Sequence, residues 1–265
     1  MEKLPFVRAL VTGASSGIGE EITRQLVAGG VQVVVVARRR DRLEALAATL
    51  PGIEVLVADL VTSEGIDAVV RRVQSEDSPV DLVVNNAGFG SQLPLAMHDP
   101  NRIADEVMLN CTALTVISRA AAATMGPRKH GYIMNVASIA AFNPAAYMAV
   151  YSATKAYVLS LSQALHVELK SAGVHVSALC PGLTATEFQQ VAGTNNHHDI
   201  FPEKVWTSVE LVARVGIKDV IRNKAVSVPG AVYKALDAVS SVTPRSLRRR
   251  VFAVGMGATR NKRNS

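Results

Sequence analysis

Tyr151 and Lys155 place a phenol and an ammonium four residues apart in a stretch with a helical pattern. Residues at positions i and i+4 lie on one face of a helix, so both side chains can enter the same site. A free phenol has a pKa of about 10, and a nearby ammonium lowers that pKa. We therefore expect Tyr151 to act as a general acid toward a ketone or as a general base toward an alcohol. The spacing alone also fits a solvated helix face, so the interpretation depends on the rest of the chain.

A glycine-rich turn near the N-terminus is the second candidate site. The apolar run Phe6–Thr12 leads into Gly13-Ala14-Ser15-Ser16-Gly17-Ile18-Gly19, and a helical pattern follows over Glu20–Ala28. Glycines let a backbone approach a pyrophosphate, and a helix N-terminus supplies free N–H donors. The spacing is G-x-x-x-G-x-G, a variant of the G-x-G-x-x-G cradle for dinucleotides. A tight strand-to-helix turn without a ligand is the alternative.

Strands and helices alternate along the chain. The predicted strands are Arg8–Thr12, Gln32–Ala37, Glu54–Ala58, Leu82–Asn85, Tyr132–Val136, His175–Leu179 and Ala225–Val228. The predicted helices lie near Gly17–Gly29, Arg40–Leu50, Ser63–Glu76, Arg102–Met125 and Tyr151–Ala172. Continuous Val, Leu and Ile runs are typical of parallel strands buried on both faces. The pattern predicts a single α/β domain, a Rossmann-type doubly wound parallel sheet of about seven strands with helices on both faces.

Polar or glycine-containing segments follow four of these strands, where ligands bind in such sheets. Asp59 and Leu60 follow the third strand, and Asp59 can accept a hydrogen bond from an adenine amino group. Asn85-Asn86-Ala87-Gly88 ends the fourth, where a glycine lets the backbone pass close to a flat ligand. Ser138 follows the fifth strand, and Pro181-Gly182-Leu183-Thr184-Ala185-Thr186 follows the sixth.

In these residues together, over about residues 5–230, the chain resembles the short-chain dehydrogenase/reductase family. The resemblance implies a nicotinamide-dependent oxidoreductase with a catalytic tetrad of Asn110, Ser138, Tyr151 and Lys155. It implies that Lys155 also holds the ribose hydroxyls and that Asn110 anchors a water linking Lys155 to solvent. The implied cofactor-binding residues are Gly13, Ser15, Ser16, Gly17, Ile18, Gly19, Arg38, Asp59, Leu60, Asn86, Ala87, Gly88, Tyr151, Lys155, Pro181, Gly182, Thr184 and Thr186.

The end of the second strand bears on which cofactor is used. A carboxylate there would bind the ribose 2′-hydroxyl of NAD(H) and repel a 2′-phosphate. This chain has Ala37 at that position, followed by Arg38, and a guanidinium fork suits a phosphate. A solvated basic helix start is the alternative. We expect NADP(H), with reduction as the working direction.

Less can be predicted about the substrate. Residues 187–206 follow the sixth strand and are expected to form a lid, with Phe188, Phe201 and Trp206 among its apolar members. These favour a lipophilic carbonyl, and a ketone, an aldehyde, a 3-oxoacyl thioester and a steroid all stay open. His197-His198 lacks a matching ligand spacing, so we expect no metal.

Composition and charge set the remaining expectations. The 265 residues are 49% hydrophobic, with two separate cysteines, no secretion signal and no apolar run near the length of a membrane span, so we expect a soluble cytoplasmic protein. The last 21 residues hold seven Lys and Arg and no acid, and the other 21 Lys and Arg against 22 Asp and Glu leave Met1–Pro244 at −1. The whole formal charge of +6 therefore comes from this tail.

Three functional classes fit the sequence. The domain over residues 1–230 indicates an oxidoreductase that binds a small carbonyl or alcohol substrate and no nucleic acid, as a homodimer or homotetramer. A scaffold or sensor that binds NADP without turnover is the second class. The third is a lipid-modifying enzyme brought to a membrane surface by the basic extension over residues 231–265. We favour the first, with the C-terminal helix packed on its own domain or on a second subunit.

Overall fold

The protein forms one parallel seven-stranded sheet with helices on both faces, as predicted. The computed structural model describes residues 4–192, 202, 205–230 and 233. The strands are β1 Arg8–Thr12, β2 Gln32–Ala37, β3 Ile53–Val57, β4 Leu82–Asn85, β5 Gly131–Val136, β6 Val174–Leu179 and β7 Val226–Ser227. They lie in the order β3-β2-β1-β4-β5-β6-β7, and every neighbouring pair is parallel.

Helices connect the strands and cover the sheet. They are α1 Gly17–Ala28, α2 Arg40–Thr49, α3 Ser63–Val73, α4 Pro100–Val107, α5 Leu114–Arg128, α6 Ala149–Glu168, α7 Phe188–Ala192 and α8 Val209–Ile221, with a π-helical segment Met108–Ala113 between α4 and α5. Alternate residues of each strand face opposite sides of the sheet. Side chains such as Val33 and Val35 pack with α1, α2 and α8, whereas Val34 and Val36 pack with α3 and α5.

The strand order reverses at β1, and this reversal determines where a ligand can bind. The chain passes from β1 to β2 and β3 on one side, then returns to β4 on the other side of β1. In doubly wound sheets, the crevice opens at the carboxyl ends of the strands beside this switch point. The glycine turn follows β1 and Asn86-Ala87-Gly88 follows β4, so both predicted segments lie at this crevice.

Two features of the helices differ from the sequence-based expectation. The single helix predicted over Arg102–Met125 is α4, the π-helical segment and α5 in one continuous run. Helix α8 is not among the helices predicted from the sequence, and it begins after the predicted lid ends. Ser208 caps it by accepting a hydrogen bond from the backbone N–H of Leu211, and its apolar face packs against α1 and the sheet.

The run Pro100–Arg128 also qualifies as a possible membrane span by length and hydropathy, contrary to the expectation that no such run exists. Its position argues for a core helix instead. Glu106 and Asn110 are buried within it, and Ile117 and Met125 pack in the cluster between the sheet and α3. This is the environment of a helix that covers one face of the sheet.

Candidate active site

The glycine turn after β1 is built for close approach. Gly13 has a φ of +66°, and a Cβ atom there would lie 2.8 Å from Asn86 Nδ2. Asn86 Nδ2 donates to the backbone carbonyl of Thr12 at 2.9 Å, while Thr12 Oγ1 accepts from the N–H groups of Asn86 and Ala87 at 2.9 and 3.0 Å. The turn is thus locked to the end of β4 by its own polar groups. Ile18 and Gly19 lie in the first turn of α1, whose N-terminus opens on this crevice.

Arg39, which was not predicted, is the arginine that contacts the glycine turn. Its Nη2 donates to Ser15 Oγ and Ser16 Oγ, both at 2.9 Å, and its Nη1 pairs with Glu187 at 2.9 Å. Arg38, predicted from its position after β2, is exposed. The chain path explains the difference, because α2 begins at Arg40 and the preceding residue points back across the crevice. The two serines hold a guanidinium beside the first turn of α1.

Asn110 lies in the π-helical segment and is buried, with 1% of its surface exposed. Its Nδ2 donates to the Phe89 carbonyl at 2.8 Å and to Thr154 Oγ1 at 3.1 Å, and its Oδ1 accepts from the Phe89 N–H at 3.2 Å. The Asn110 side-chain amide therefore pairs with both backbone groups of Phe89 in the loop after β4. π-Helical turns occur frequently at functional sites. The predicted anchoring of a water by Asn110 stays a prediction.

Asn110 and Lys155 meet at Gly88. A Cβ atom on Gly88 would lie 2.8 Å from Asn110 Oδ1 and 3.4 Å from Lys155 Nζ, so only a glycine fits between them. Lys155 Nζ donates to the Val136 carbonyl at 2.8 Å and lies 5.7 Å from the centroid of the Tyr151 ring. Burial lowers the pKa of Lys155 to about 8, against the opposing effect of Cys111.

Tyr151 is buried and hydrogen-bonded to Ser138. Burial raises the pKa of Tyr151 to about 12, while the hydrogen bond from Ser138 lowers it. The pKa of Tyr151 is therefore raised and not lowered as expected, because removal of the phenol from water outweighs the opposing effects in this structure. Ser138 lies between β5 and Ile139–Ala141, and its Oγ also accepts from the backbone N–H of Ala140 at 3.1 Å.

The segments after β3 and β6 reach the same edge of the sheet. Asp59 accepts from the backbone N–H of Val61 at 3.2 Å, so its carboxylate is directed into its own turn, and Leu60 is buried. The Pro181 carbonyl accepts from the Ile139 N–H at 3.0 Å, which ties the segment after β6 to Ser138's turn. Thr184 is buried, and Thr186 is held by Gln189 Oε1 at 3.0 Å from its N–H.

Tyr233 is a further residue that the sequence did not reveal. Its ring packs on Gly182, its hydroxyl accepts from the Leu183 N–H at 3.0 Å, and that hydroxyl donates to the Val205 carbonyl at 2.6 Å. Most of the predicted lid, residues 193–201 and 203–204, lies outside the described residues, as do His197-His198 and the tail from 234 onward. Tyr233 therefore joins Leu183, which precedes the predicted lid, to Val205 near the end of that lid.

The arrangement fits a dinucleotide. Gly13 and Gly19 let the turn pack directly against Asn86, the N-terminus of α1 follows the turn, and the Arg39 guanidinium lies on Ser15 and Ser16 beside it. Such a surface accepts phosphate groups. Gly13, Ser15, Ser16, Gly17, Arg39 and Asn86 to Gly88 would hold the nucleotide, with Lys155 and Thr186 near its nicotinamide end. Within the described residues, no group of three His, Cys, Asp or Glu side chains is placed to hold a metal.

Comparison with known proteins agrees with this geometry. The model of the short chain dehydrogenase family matches residues 8–197. An uncharacterised oxidoreductase of Myxococcus xanthus is 33% identical over 219 residues, which is 81% of this chain and 85% of that protein.

Solved structures agree as well. A short-chain dehydrogenase from Sphingobium yanoikuyae in complex with NADPH has 34% identity and a TM-score of 0.80, over 88% of this chain and 93% of that one. The bulky-bulky ketone specific alcohol dehydrogenase from Comamonas testosteroni has 32% identity and a TM-score of 0.75, over 92% and 96%. A 3-ketoacyl-(acyl-carrier-protein) reductase from Brucella melitensis complexed with NADH has 27% identity and a TM-score of 0.75, over 83% and 94%. With its glycine cradle and its Asn110, Ser138, Tyr151 and Lys155 at one edge of the sheet, the chain belongs to the short-chain dehydrogenase family of oxidoreductases.

Proposed function

We propose that the protein is an NADPH-dependent reductase that converts a lipophilic ketone or aldehyde into an alcohol. One observation carries the proposal: the Tyr151 phenol, hydrogen-bonded to Ser138, is buried one helical turn from Lys155 at the edge of the sheet that bears the glycine cradle. A proton donor, a second hydroxyl and an ammonium thus converge beside a nucleotide-shaped surface. That combination suits proton transfer to a carbonyl oxygen.

The residues divide the chemistry between them. The nicotinamide supplies a hydride when it is bound. Negative charge then develops on the carbonyl oxygen, and two hydroxyls aimed at that oxygen, from Ser138 and Tyr151, stabilise the transition state more than the ground state. Tyr151 gives its phenolic proton to the oxygen. Burial raises the pKa of the phenol to about 12, so Tyr151 carries at neutral pH the proton that a general acid gives to the carbonyl oxygen.

The preference for NADP(H) rests on charge around the end of β2. Ala37 stands where an acid would repel a 2′-phosphate, Arg38 and Arg39 follow, and Ser15 and Ser16 line the same crevice. Arg39 is held in place by both serine hydroxyls, so little of its side-chain freedom is left to lose when it binds an anion. The Sphingobium relative binds NADPH, whereas the Brucella one binds NADH. The family alone therefore does not decide the preference.

The lipophilic substrate is inferred from the side chains near Tyr151. The Phe188 ring lies 5.3 Å from the Tyr151 ring between centroids, and Ile139 and Phe142 pack in the cluster beside Ser138. Leu93 and Leu95 are exposed in the loop after β4. The Comamonas relative is specific for bulky-bulky ketones, which agrees with an apolar site.

A panel of carbonyl compounds tests the function. Purified protein with NADPH is mixed with aliphatic ketones, aryl ketones, aldehydes, 3-oxoacyl thioesters and steroids, and oxidation of NADPH is followed by absorbance. We expect carbonyl-dependent oxidation for at least one lipophilic class. A protein that binds NADPH tightly but oxidises it with no member of the panel would instead favour a non-catalytic NADP sensor.

We also propose that the protein is a homodimer or homotetramer through the helices that carry Asn110 and Tyr151. Val107, Met108, Val116 and Tyr157 are large apolar side chains exposed on these helices. A second copy would remove them from water. Light scattering during gel filtration should give a mass of two or four chains, and a purely monomeric wild type would contradict this part of the proposal. Replacing Val116 with Glu should shift the mass toward one chain.

A further inference from the structure

The first residue of the predicted lid pairs with two arginines that follow β2. Glu187 Oε2 accepts a hydrogen bond from Arg39 Nη1 at 2.9 Å, and its Oε1 accepts one from Arg42 Nη1. The side chains of Arg39, Arg42 and Glu187 are 37, 41 and 39% exposed, so a ligand in the crevice can reach all three. The hydrogen bonds from Arg42 and Arg39 lower the pKa of Glu187, so this residue carries a negative charge at neutral pH. One carboxylate thus bridges two guanidinium groups beside the glycine turn.

Each nitrogen of the Arg39 guanidinium already has an acceptor. Nε and Nη2 both donate to Ser15 Oγ, at 3.2 and 2.9 Å, and Nη2 also donates to Ser16 Oγ at 2.9 Å. Nη1 donates to Glu187. A phosphate that binds a guanidinium by two parallel hydrogen bonds needs two N–H groups on one edge of the fork. It must therefore take over at least one N–H group that points to a serine or to Glu187.

The serines and Glu187 differ in what they can do for such a phosphate. A serine hydroxyl can turn and donate its proton to a phosphate oxygen, so Ser15 and Ser16 can join the phosphate site. An ionised carboxylate only accepts hydrogen bonds, and it repels a second anion that binds the same guanidinium. Glu187 therefore competes with a phosphate for Arg39 and does not help to bind it.

The neighbours of Glu187 in the chain keep its carboxylate close to the arginines. The Phe188 N–H donates to Thr186 Oγ1 at 3.3 Å, and the Phe188 ring lies 5.3 Å from the Tyr151 ring between centroids. These contacts restrain the backbone on both sides of Glu187. The carboxylate therefore stays near the crevice, with Arg42 as its partner, even when a phosphate takes the other arginine.

We propose that Glu187 is a specificity-determining residue of the nucleotide site, whose carboxylate competes with the 2′-phosphate of NADPH for Arg39. The inference rests on the proposed binding of NADPH. Glu187 lowers the affinity for NADPH and leaves the affinity for NADH nearly unchanged, because NADH carries a neutral hydroxyl at that position. The preference for NADPH is therefore weaker than the arginines alone would give, and the opposing charge comes from the lid.

The ratio of the dissociation constants for NADPH and NADH tests the proposal. Both nucleotides are titrated by fluorescence against wild type, Glu187→Gln and the matched control Glu44→Gln, which removes a carboxylate that pairs with Arg40 on α2. We expect Glu187→Gln to bind NADPH roughly three- to tenfold more tightly than wild type, as suits partly exposed charges, and to bind NADH equally well. Glu44→Gln should change neither affinity. In the background of Arg39→Ala, the gain from Glu187→Gln should fall below about twofold, because the contested group is gone.

Calorimetry with 2′,5′-ADP and 5′-AMP makes the same comparison for the 2′-phosphate itself, and only 2′,5′-ADP should bind more tightly to Glu187→Gln. An unchanged or weaker affinity of Glu187→Gln for NADPH would overturn the proposal. An equal gain for NADH, or a gain that persists in full without Arg39, would overturn it as well. These affinities are measured without turnover. A protein that reduces no carbonyl would therefore fail as a reductase, while the ratio of its dissociation constants would still decide the role of Glu187.

Discussion

At Tyr151, burial and hydrogen bonding act on the phenol in opposite directions. Burial favours the neutral phenol, whereas Ser138 stabilises the phenolate that forms when the proton leaves. Lys155 is also buried and donates a hydrogen bond to the Val136 carbonyl. The site is therefore arranged so that the acid is protonated before reaction and its partner groups are already in place.

Replacing Tyr151 with Phe should greatly lower turnover but leave NADPH affinity nearly unchanged. Only the acid proton and one hydrogen bond to Ser138 are lost, and general acid catalysis typically contributes roughly 10²–10⁴-fold. We expect a decrease in turnover of that size, with an NADPH dissociation constant near that of wild type by fluorescence titration. A variant that keeps more than half of wild-type turnover, with chemistry rate-limiting, would show that another group is the acid.

Glu106 should make the protein less stable as the pH rises. Its pKa is about 7 in the folded state against 4.5 when exposed, so the unfolded chain releases the proton first. Its contribution to stability is fully present below pH 4.5 and is lost as the pH rises to about 7. Glu106→Met should raise the free energy of unfolding at pH 8, by roughly 3 kcal/mol at most, relative to its effect at pH 5. Urea unfolding at both pH values measures this, and an equal effect at both would contradict the assignment.

At the scale of elements, hydrogen bonds join the segment after β6, just before the predicted lid, to the residues at the end of that lid. Thr207 N–H donates to the Leu183 carbonyl at 2.8 Å, and the Tyr233 hydroxyl bridges Leu183 and Val205. At the start of the lid, Glu187 pairs with Arg39 and Arg42, and these hydrogen bonds, first that of Arg42, lower the pKa of Glu187. The lid is thus joined to the glycine turn and to the C-terminal part of the chain.

Tyr233→Phe should loosen the base of the lid. The Leu183 N–H and the Val205 carbonyl would each lose a partner, at a cost of about 1–3 kcal/mol. Trp206 is the only tryptophan of the chain and follows Val205 directly, so its fluorescence and its quenching by acrylamide report on this change. Tyr132→Phe, which alters a tyrosine at the start of β5 and thus at the opposite end of the sheet, is the control. Unchanged quenching and unchanged stability in Tyr233→Phe would show that the Tyr233 hydroxyl does not stabilise the contact between Leu183 and Val205.

Arg39→Ala should weaken the binding of NADPH much more than the binding of NADH. A charge-assisted hydrogen bond is worth roughly 1.5–3 kcal/mol, or about 10- to 150-fold in affinity, and NADH lacks the phosphate that would make it. We expect NADPH binding to weaken by that factor and NADH binding to change little. Arg38→Ala measures how much Arg38, the arginine predicted from the sequence, contributes to NADPH affinity. Arg40→Ala is the control, because Arg40 pairs with Glu44 on the exposed face of α2. Equal losses for NADPH and NADH would contradict phosphate binding by Arg39.

At the scale of the whole molecule, the sheet was predictable because each strand carries its own signal. The strands β1, β2 and β4 match the predicted bounds, and their Val-rich runs need burial on both faces. The tetrad was predictable for a similar reason, since its members follow strands or share a helix face. Side-chain direction is what the sequence left open. Arg38 and Arg39 lie between β2 and α2, and only the chain path into α2 selects Arg39 for the serines.

Contacts between residues far apart in the sequence could not be predicted from the spacing of motifs either. Tyr233 lies 50 residues beyond Leu183, and nothing local marks it as a partner. From the sequence pattern, Glu106 would be a solvent-facing residue of an amphipathic helix. In the structure, the packing of α4 against α6 buries it. The direction of the pKa shift of Tyr151 could not be predicted for the same reason, because burial depends on the whole fold rather than on the distance to Lys155 along the helix.

The transfer of deuterium from labelled NADPH to a carbonyl tests the central claim most directly. Wild type and Tyr151→Phe are incubated with the best carbonyl of the panel and NADPH deuterated at the transferable position, and the alcohol is analysed by mass spectrometry. The account predicts one deuterium on the former carbonyl carbon with wild type, and alcohol formation roughly 10²–10⁴-fold slower with Tyr151→Phe. Alcohol without deuterium, or equal rates for the two proteins, would contradict hydride transfer assisted by Tyr151.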